Sequence, residues 1–127
     1  MALHESGEMY LEAIYVLSKK LNNVRSIDVS EYLNYSKPSV SRAISVLKNE
    51  DFVIMDEYGF LILTEKGLVV ATKIYQRHVL LNAFLTHIGL DKETAAEDAC
   101  KMEHAISDKT FDIIKEHSLK IGVVFGD

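Results

Sequence analysis

The order of elements between residues 36 and 63 restricts the fold more than any other feature: one helix, then two short β-rich runs. Ser36 is a good N-cap. Pro38 is tolerated in the first turn, because N–H groups there have no partner within the helix. We therefore predict a helix over 37–49. Gly59 permits a tight hairpin reversal between the two runs. The runs span residues 52–55 and 60–63, and the turn spans residues 56–59. This order is typical of the recognition helix and wing of a winged helix-turn-helix.

Two helices are predicted before this segment. Apolar residues recur at steps of three and four between Ser6 and Leu21, which indicates an amphipathic helix with Ser6 as its cap. Asn22 and Asn23 interrupt that pattern, and Ser26 is the expected cap of a short second helix. Three helices and a hairpin therefore account for the first half of the chain.

The second half reads as helices only. Thr64 is the expected cap of a helix of about five or six turns that ends by Gly89. Asp91 caps a further helix, and Ser107 begins a last one that reaches His117. The fold class predicted from the whole pattern is mainly α, with a two-stranded wing near the middle.

The composition limits the environment of the chain. It has 127 residues, 48% of them apolar, and its single Cys cannot form an intrachain disulfide. The start of the sequence lacks the pattern of a secretory signal, and the apolar runs are far shorter than the ~20 residues of a membrane helix. We therefore expect a cytoplasmic protein without membrane association.

The predicted recognition helix carries positive charge in an acidic chain. Residues 32–49 contain three basic and no acidic residues, whereas the whole chain has a formal net charge of −5. Short hydroxyl side chains allow close approach to a DNA groove, and Arg42 can pair with guanine. A solvated helix face or a protein-binding winged helix is the alternative. The candidate DNA-binding residues are Ser36, Lys37, Pro38, Ser39, Ser41, Arg42, Ser45 and Lys48.

Potential metal ligands are concentrated on the later helices. Cys100, Glu103 and His104 stand at positions i, i+3 and i+4 and therefore share one helix face. A thiolate, a carboxylate and an imidazole together form a ligand set for a divalent transition metal. His78 lies on the inward side of the long helix, and Met9 and Glu12 flank the apolar stripe of the first helix. The candidate ligands are Met9, Glu12, His78, Cys100, Glu103 and His104.

Each candidate also has an ordinary structural explanation. An inward His is often hydrogen-bonded in a core, a lone Met usually packs, and a buried Cys is often inert. Glu103 is harder to explain in this way, because a carboxylate beside an apolar face is unfavourable unless it is paired. A Cys100–His104 nucleophile and base pair is also conceivable, but no oxyanion-hole motif or third orienting residue accompanies it, so an enzyme is not expected.

Five segments resemble the diphtheria toxin repressor and manganese transport regulator family of metal-dependent transcriptional repressors. They are Glu8–Tyr15, Ser36–Ser41, Leu63–Gly67, Arg77–His78 and Cys100–Asp108. The resemblance implies a homodimer that binds palindromic operator DNA through residues 1–66, a winged helix-turn-helix domain. Residues 67–127 would form a helical metal-binding and dimerisation domain without an SH3-like third domain. A winged-helix regulator that responds to a non-metal ligand is the alternative function.

The resemblance is divided between two branches of the family. Met9 and Cys100 match iron-type regulators, whereas Glu12 matches manganese-type regulators, and the three other candidate ligands match both. Asn82 and Ala96 replace the Glu and His of an ancillary site found in the iron branch. Since thiolate and thioether donors disfavour the hard ion Mn(II), we expect Fe(II) as the activating metal and Mn(II) as the second choice.

Overall fold

The computed structural model describes residues 5–125 and divides the chain into two compact units, one up to Thr72 and one from Lys73. The order of elements confirms the mainly α fold with a winged helix-turn-helix followed by helices. The elements are α1 (Glu5–Lys20), α2 (Ser26–Leu33), α3 (Lys37–Asn49), β1 (Val53–Met55), β2 (Leu61–Leu63), α4 (Glu65–His87), α5 (Lys92–Ala105) and α6 (Asp108–Lys120).

The first unit packs its three helices around one apolar core, and the wing closes that core. α1 contacts α2, α3 and β2, while α3 contacts β1. Leu11, Val29 and Val40 are fully buried, one from each helix. Burial of a Val or Leu side chain contributes roughly 1.5–3 kcal/mol, so packing rather than helix propensity holds these short helices in place.

The wing is a tight antiparallel hairpin. Val53 pairs with Leu63 and Ile54 with Ile62, so the paired side chains alternate between the core face and the solvent face. Asp56 stabilises the turn, because its Oδ1 accepts hydrogen bonds from the backbone N–H groups of residues 58 and 60, each at 2.9 Å. Gly59 adopts φ of +83°, a conformation that only glycine reaches without strain.

The start of α4 lies close to the strand before it. Thr64 is its N-cap, as predicted, since its Oγ1 accepts a hydrogen bond from the N–H of Gly67 at 3.1 Å. A Cβ atom added to Gly67 would lie 2.1 Å from the carbonyl oxygen of Phe52. Glycine is therefore required here by close backbone approach and not by its φ angle.

Three further predicted caps are confirmed and two are wrong. Ser36, Asp91 and Ser107 each accept a hydrogen bond from the backbone N–H three residues later. Ser6 lies inside α1, which already includes Glu5. Ser26 is the first helical residue of α2, whose N-cap position is the residue before it.

The second unit consists of the remainder of α4 together with α5 and α6. Its apolar core contains Leu81 and Leu85 of α4 and two small residues of α5, Ala95 and Ala99. α6 continues to Lys120, three residues beyond the predicted end. Within residues 5–125 no helix is both long enough and apolar enough to cross a membrane.

Candidate metal centre and nucleic-acid interface

A fully buried carboxylate between two imidazoles is the central feature of the second unit. Glu103 on α5 has no exposed surface. Its Oε2 lies 3.0 Å from Nδ1 of His78 on α4, and its Oε1 lies 3.3 Å from Nε2 of His104. The His104 side chain is 1% exposed and that of His78 is 31% exposed. Burial of a carboxylate is costly unless hydrogen-bonded or positively charged groups lie beside it.

Cys100 completes the set of donors on α5. It lies one helical turn before Glu103 and His104, is partly buried and is not in a disulfide. Among the candidate ligands, Glu103 contacts both His78 and His104. Nitrogen, oxygen and sulfur donors on adjoining turns suit a borderline divalent ion such as Fe(II), Co(II) or Zn(II).

A buried arginine fixes the end of α5 that carries these donors. The Nη1 of Arg77 donates hydrogen bonds to the backbone carbonyls of Glu103 at 3.0 Å and Ile106 at 2.7 Å. Its Nη2 donates to Oδ1 of Asp108 at 2.6 Å. Arg77 is 5% exposed and precedes His78, so one helical turn of α4 both supplies an imidazole and holds the α5–α6 junction.

The Asp108 carboxylate is shared between two cations. Its Oδ1 lies 2.8 Å from Nζ of Lys73, in addition to its contact with Arg77. The hydrogen bond and charge of Lys73, followed by the hydrogen bond from Arg77, lower the pKa of Asp108 below its ordinary value of 3.8. The carboxylate is therefore ionised throughout the neutral range.

The two remaining candidate ligands lie on α1 in the first unit. Met9 and Glu12 are both partly buried. The thioether Sδ of Met9 accepts a hydrogen bond from the hydroxyl of Tyr35 at 3.1 Å. The ring of Tyr35 meets that of Tyr10 edge to face, with centroids 6.0 Å apart. Burial raises the pKa of Tyr10 above its ordinary value of 10.0, so its phenol is neutral at physiological pH.

The candidate DNA-binding residues form the solvent side of α3. Ser36 Oγ donates to Ser39 Oγ at 2.9 Å, and Arg42 Nη2 lies 3.4 Å from the same Ser39 oxygen. Seven of the eight residues are exposed, and Ser39 is intermediate. Val46 on the same helix is 54% exposed and was not predicted as part of this surface. An exposed valine among hydroxyls can contact the methyl group of thymine.

Tyr35 and Arg77 were not among the functional residues predicted from the sequence. Tyr35 contacts Met9 across 26 positions, and Arg77 contacts the α5–α6 junction across 26 to 31 positions. Tyr35 gives no periodic signal, because it stands in a turn. Arg77 does give a signal, since a cation between Ile74 and Leu81 on a buried helix face requires acceptors from another element.

A winged helix-turn-helix with a polar, basic recognition helix, followed by a helical unit with a buried carboxylate and two imidazoles, defines a class of metal-responsive DNA-binding proteins. The family model described as "Iron dependent repressor, N-terminal DNA binding domain" matches residues 2–61. The one described as "Iron dependent repressor, metal binding and dimerisation domain" matches residues 64–120. The chain belongs to this iron-dependent repressor family, which comprises metal-dependent transcriptional repressors and not enzymes.

Two relatives that are matched over most of their length support this assignment. An uncharacterized HTH-type transcriptional regulator of Methanocaldococcus jannaschii is 36% identical over 115 residues, which cover 89% of this chain and 92% of that protein. The HTH-type transcriptional regulator MntR of Bacillus subtilis is 34% identical over 109 residues, which cover 86% of this chain and 77% of MntR.

Solved structures share the fold. The manganese regulator SloR has a TM-score of 0.78 at 30% identity, and the match covers 92% of this chain and 54% of SloR. The IdeR protein of T. acidophilum has a TM-score of 0.77 at 27% identity, covering 97% of this chain and 56% of IdeR. The chain therefore spans about half the length of these two proteins.

Proposed function

We propose that this protein is a cytoplasmic, homodimeric repressor of genes for metal-ion homeostasis, and that a divalent cation increases its affinity for double-stranded operator DNA. The observation that carries the proposal is the fully buried Glu103 carboxylate between His78 and His104. In this proposal residues 1–66 bind DNA, and residues 67–127 dimerise and contribute most of the metal ligands.

The donors of the second unit fit such a cation. His78 and His104 offer imidazole nitrogens, Glu103 offers carboxylate oxygens, and Cys100 offers sulfur one turn earlier on α5. When bound, the cation supplies positive charge beside a carboxylate that is otherwise costly to bury. Arg77 keeps the α5 donors in register with His78 through its hydrogen bonds to the α5–α6 junction.

Met9 and Glu12 are proposed as the ligands from α1 because they match the two branches of the family. Use of donors from both α1 and the second unit would make cation binding depend on the state of the DNA-binding part. DNA and cation would then strengthen each other's binding by the same factor, typically about 5-fold to 150-fold. This reciprocity is the proposed basis of metal-dependent repression.

The choice of metal follows from donor softness. SloR, a structural relative, is a manganese regulator, whereas the family is that of iron-dependent repressors. We favour Fe(II) because Cys100 and Met9 are soft donors, with Mn(II) as the second choice. Co(II), Ni(II) and Zn(II) are expected to bind at least as tightly as Fe(II) in vitro: affinity rises from Fe(II) to Co(II) and Ni(II) in the Irving–Williams order, and thiolate and imidazole donors suit Zn(II).

The homodimer is proposed from exposed apolar residues and from the matched dimerisation domain. Ile88, Ile113 and Leu119 of the second unit are each more than half exposed. Apolar side chains of this size in a metal-binding unit suit a subunit interface. Light scattering after gel filtration should give twice the monomer mass of 14.3 kDa, and a monomer at micromolar concentration would contradict this part of the proposal.

Fluorescence anisotropy tests the coupling directly. A labelled duplex is first enriched by the protein from a random-sequence library in the presence of Mn(II), and its affinity is then measured with Mn(II), with anaerobic Fe(II), with Co(II) or with chelator. We expect at least a fivefold gain in affinity with metal. Equal affinity with and without metal would favour the alternative, a winged-helix regulator of a non-metal ligand.

Substitutions on α5 test the ligand assignment. Replacement of both donors, Cys100→Ala with Glu103→Ala, should abolish the response to metal, while Glu97→Ala on an exposed position of the same helix should leave it intact. Circular dichroism with chelator present verifies that the helices persist. A full metal response in the double variant would refute the assignment of these ligands.

A further inference from the structure

The turn between α2 and α3 is held firmly at Tyr35. The backbone N–H of Tyr35 donates to the carbonyl of Ser30 at 3.1 Å. The hydroxyl of Ser30, which is 8% exposed, donates in return to the carbonyl of Tyr35 at 2.6 Å. Both backbone polar groups of Tyr35 are thus bound to the same residue, which leaves its side chain as the variable part of the turn.

The side chain of Tyr35 extends to α1. Its hydroxyl donates to Sδ of Met9 at 3.1 Å, and its ring packs edge to face on Tyr10. Methionine has three rotatable side-chain bonds and normally samples many positions. A hydrogen bond to the sulfur therefore selects one orientation of the thioether and removes rotamer freedom before any ligand arrives.

Tyr35 is also adjacent in sequence to the start of the DNA-facing helix. Ser36, the next residue, caps α3 and accepts from the N–H of Ser39. Ser39 in turn lies within 3.4 Å of Arg42 Nη2. A continuous set of contacts therefore connects the Met9 sulfur, through Tyr35 and the cap of α3, with the hydroxyl and guanidinium groups that face solvent on that helix.

We propose that Tyr35 is a positioning residue for the thioether of Met9 and that it links cation binding at Met9 to the N-terminal turn of α3. This inference rests on the proposed function, in which Met9 is a metal ligand. A thioether sulfur has two lone pairs, so one can accept the hydrogen bond from Tyr35 while the other faces a cation. Loss of the Tyr35 hydroxyl retains the Met9 sulfur as a possible ligand but removes the hydrogen bond that orients it.

The experiment uses Tyr35→Phe, which removes the hydroxyl and retains the ring that packs on Tyr10. Co(II) affinity is measured by calorimetry on the full chain without DNA, because this ion is stable in air. We expect about a fivefold loss, the effect of one neutral hydrogen bond. Tyr58→Phe, at a tyrosine that is 65% exposed in the wing, is the matched control and should leave Co(II) affinity unchanged.

A double-variant cycle separates a positioning role from general destabilisation. In a Met9→Leu background, Tyr35→Phe should cause no further loss of Co(II) affinity, since the oriented sulfur is already absent. The same fivefold loss in both backgrounds would overturn the inference, and so would an unchanged affinity of Tyr35→Phe. Thermal melting with chelator present should show that both single variants are folded.

The outcomes also distinguish this inference from the proposed function. If Met9→Leu binds Co(II) as tightly as the natural chain, Met9 is not a ligand and the inference about Tyr35 fails. The proposed function rests on Glu103, His78 and His104, and this titration refutes it only if the chain binds no Co(II). If Met9→Leu weakens Co(II) binding while Tyr35→Phe does not, the metal site stands and only the role of Tyr35 is refuted.

Discussion

Replacement of Arg77 is predicted to lower the stability of the second unit. Its guanidinium donates to two backbone carbonyls, those of Glu103 and Ile106, and to the Asp108 carboxylate, while the side chain is almost completely buried. Arg77→Met retains most of the aliphatic stem and removes all three hydrogen bonds. The two carbonyls then lose charge-assisted donors, each worth about 1.5–3 kcal/mol.

The expected loss is smaller than the simple sum of these terms. Asp108 keeps Lys73 as a partner and its side chain is 69% exposed, so its contribution is small. Methionine also avoids the desolvation of a buried charge, which offsets part of the loss. We expect Arg77→Met to reduce the free energy of unfolding by about 3 kcal/mol.

Urea denaturation with chelator present measures this loss without a contribution from metal, and a fixed protein concentration keeps the mass-action contribution of any dimer the same for variants with equal dimer affinity. Lys73→Met is the matched control, because it removes only the exposed partner of Asp108 and should cost less than about 1 kcal/mol. If the two variants differ by less than 1 kcal/mol, the hydrogen bonds of Arg77 do not hold the α5–α6 junction and the reasoning is wrong.

Two further predictions concern backbone approach and pH. Gly67→Ala should destabilise the first unit by about 2–4 kcal/mol, because its Cβ would meet the Phe52 carbonyl. Gly59→Ala should cost only about 1 kcal/mol, because its positive φ is the only obstacle to a side chain. Urea denaturation compares the two variants, and equal losses would contradict this explanation. Asp108 has a lowered pKa in the folded state, so its stabilising contribution is complete above the ordinary value of 3.8 and is lost as the pH falls below it. The difference in urea midpoint between the natural chain and Asp108→Asn should therefore shrink towards zero in acid, and a difference independent of pH would refute this link.

The helix starts show which local features can be predicted from sequence. Ser36 acts within its own turn, so residue type and position suffice to identify the cap. Ser26 was misassigned because the carboxylate of Asp28 accepts from the backbone N–H of Arg25 at 2.8 Å. That bond satisfies the N–H of Arg25, which is the N-cap residue, so the helix starts at Ser26, one residue earlier than a Ser26 cap would place it.

The candidate metal centre was predictable to the extent that it depends on helix geometry. The spacing of Cys100, Glu103 and His104 places them on one face whatever surrounds the helix. The contact of Glu103 with His78 depends on the packing of α4 against α5, for which the sequence gives only the inward side of His78. The partners of Arg77 and Tyr35 are set by tertiary structure alone, and no spacing rule relates them.

The charge of the wing leads to a last prediction about DNA binding. The recognition helix is basic, but the turn of the wing contains Asp56 and Glu57. Asp56 is occupied by two backbone N–H groups, whereas Glu57 is exposed. If the wing approaches the phosphate backbone, the negative charge of Glu57 opposes DNA binding. Glu57→Lys should therefore strengthen DNA binding and make it more dependent on salt.

The expected size follows from counterion release. One new phosphate contact per subunit steepens the slope of log K against log salt by about 0.9, or about 1.8 for a dimer. Glu97→Lys on α5 makes the same change in net charge on an exposed residue of the second unit and is the matched control. Anisotropy titrations at several salt concentrations compare the two variants. If they give the same slope, the wing does not approach the phosphates, and phosphate recognition depends on α3 and the residues around it.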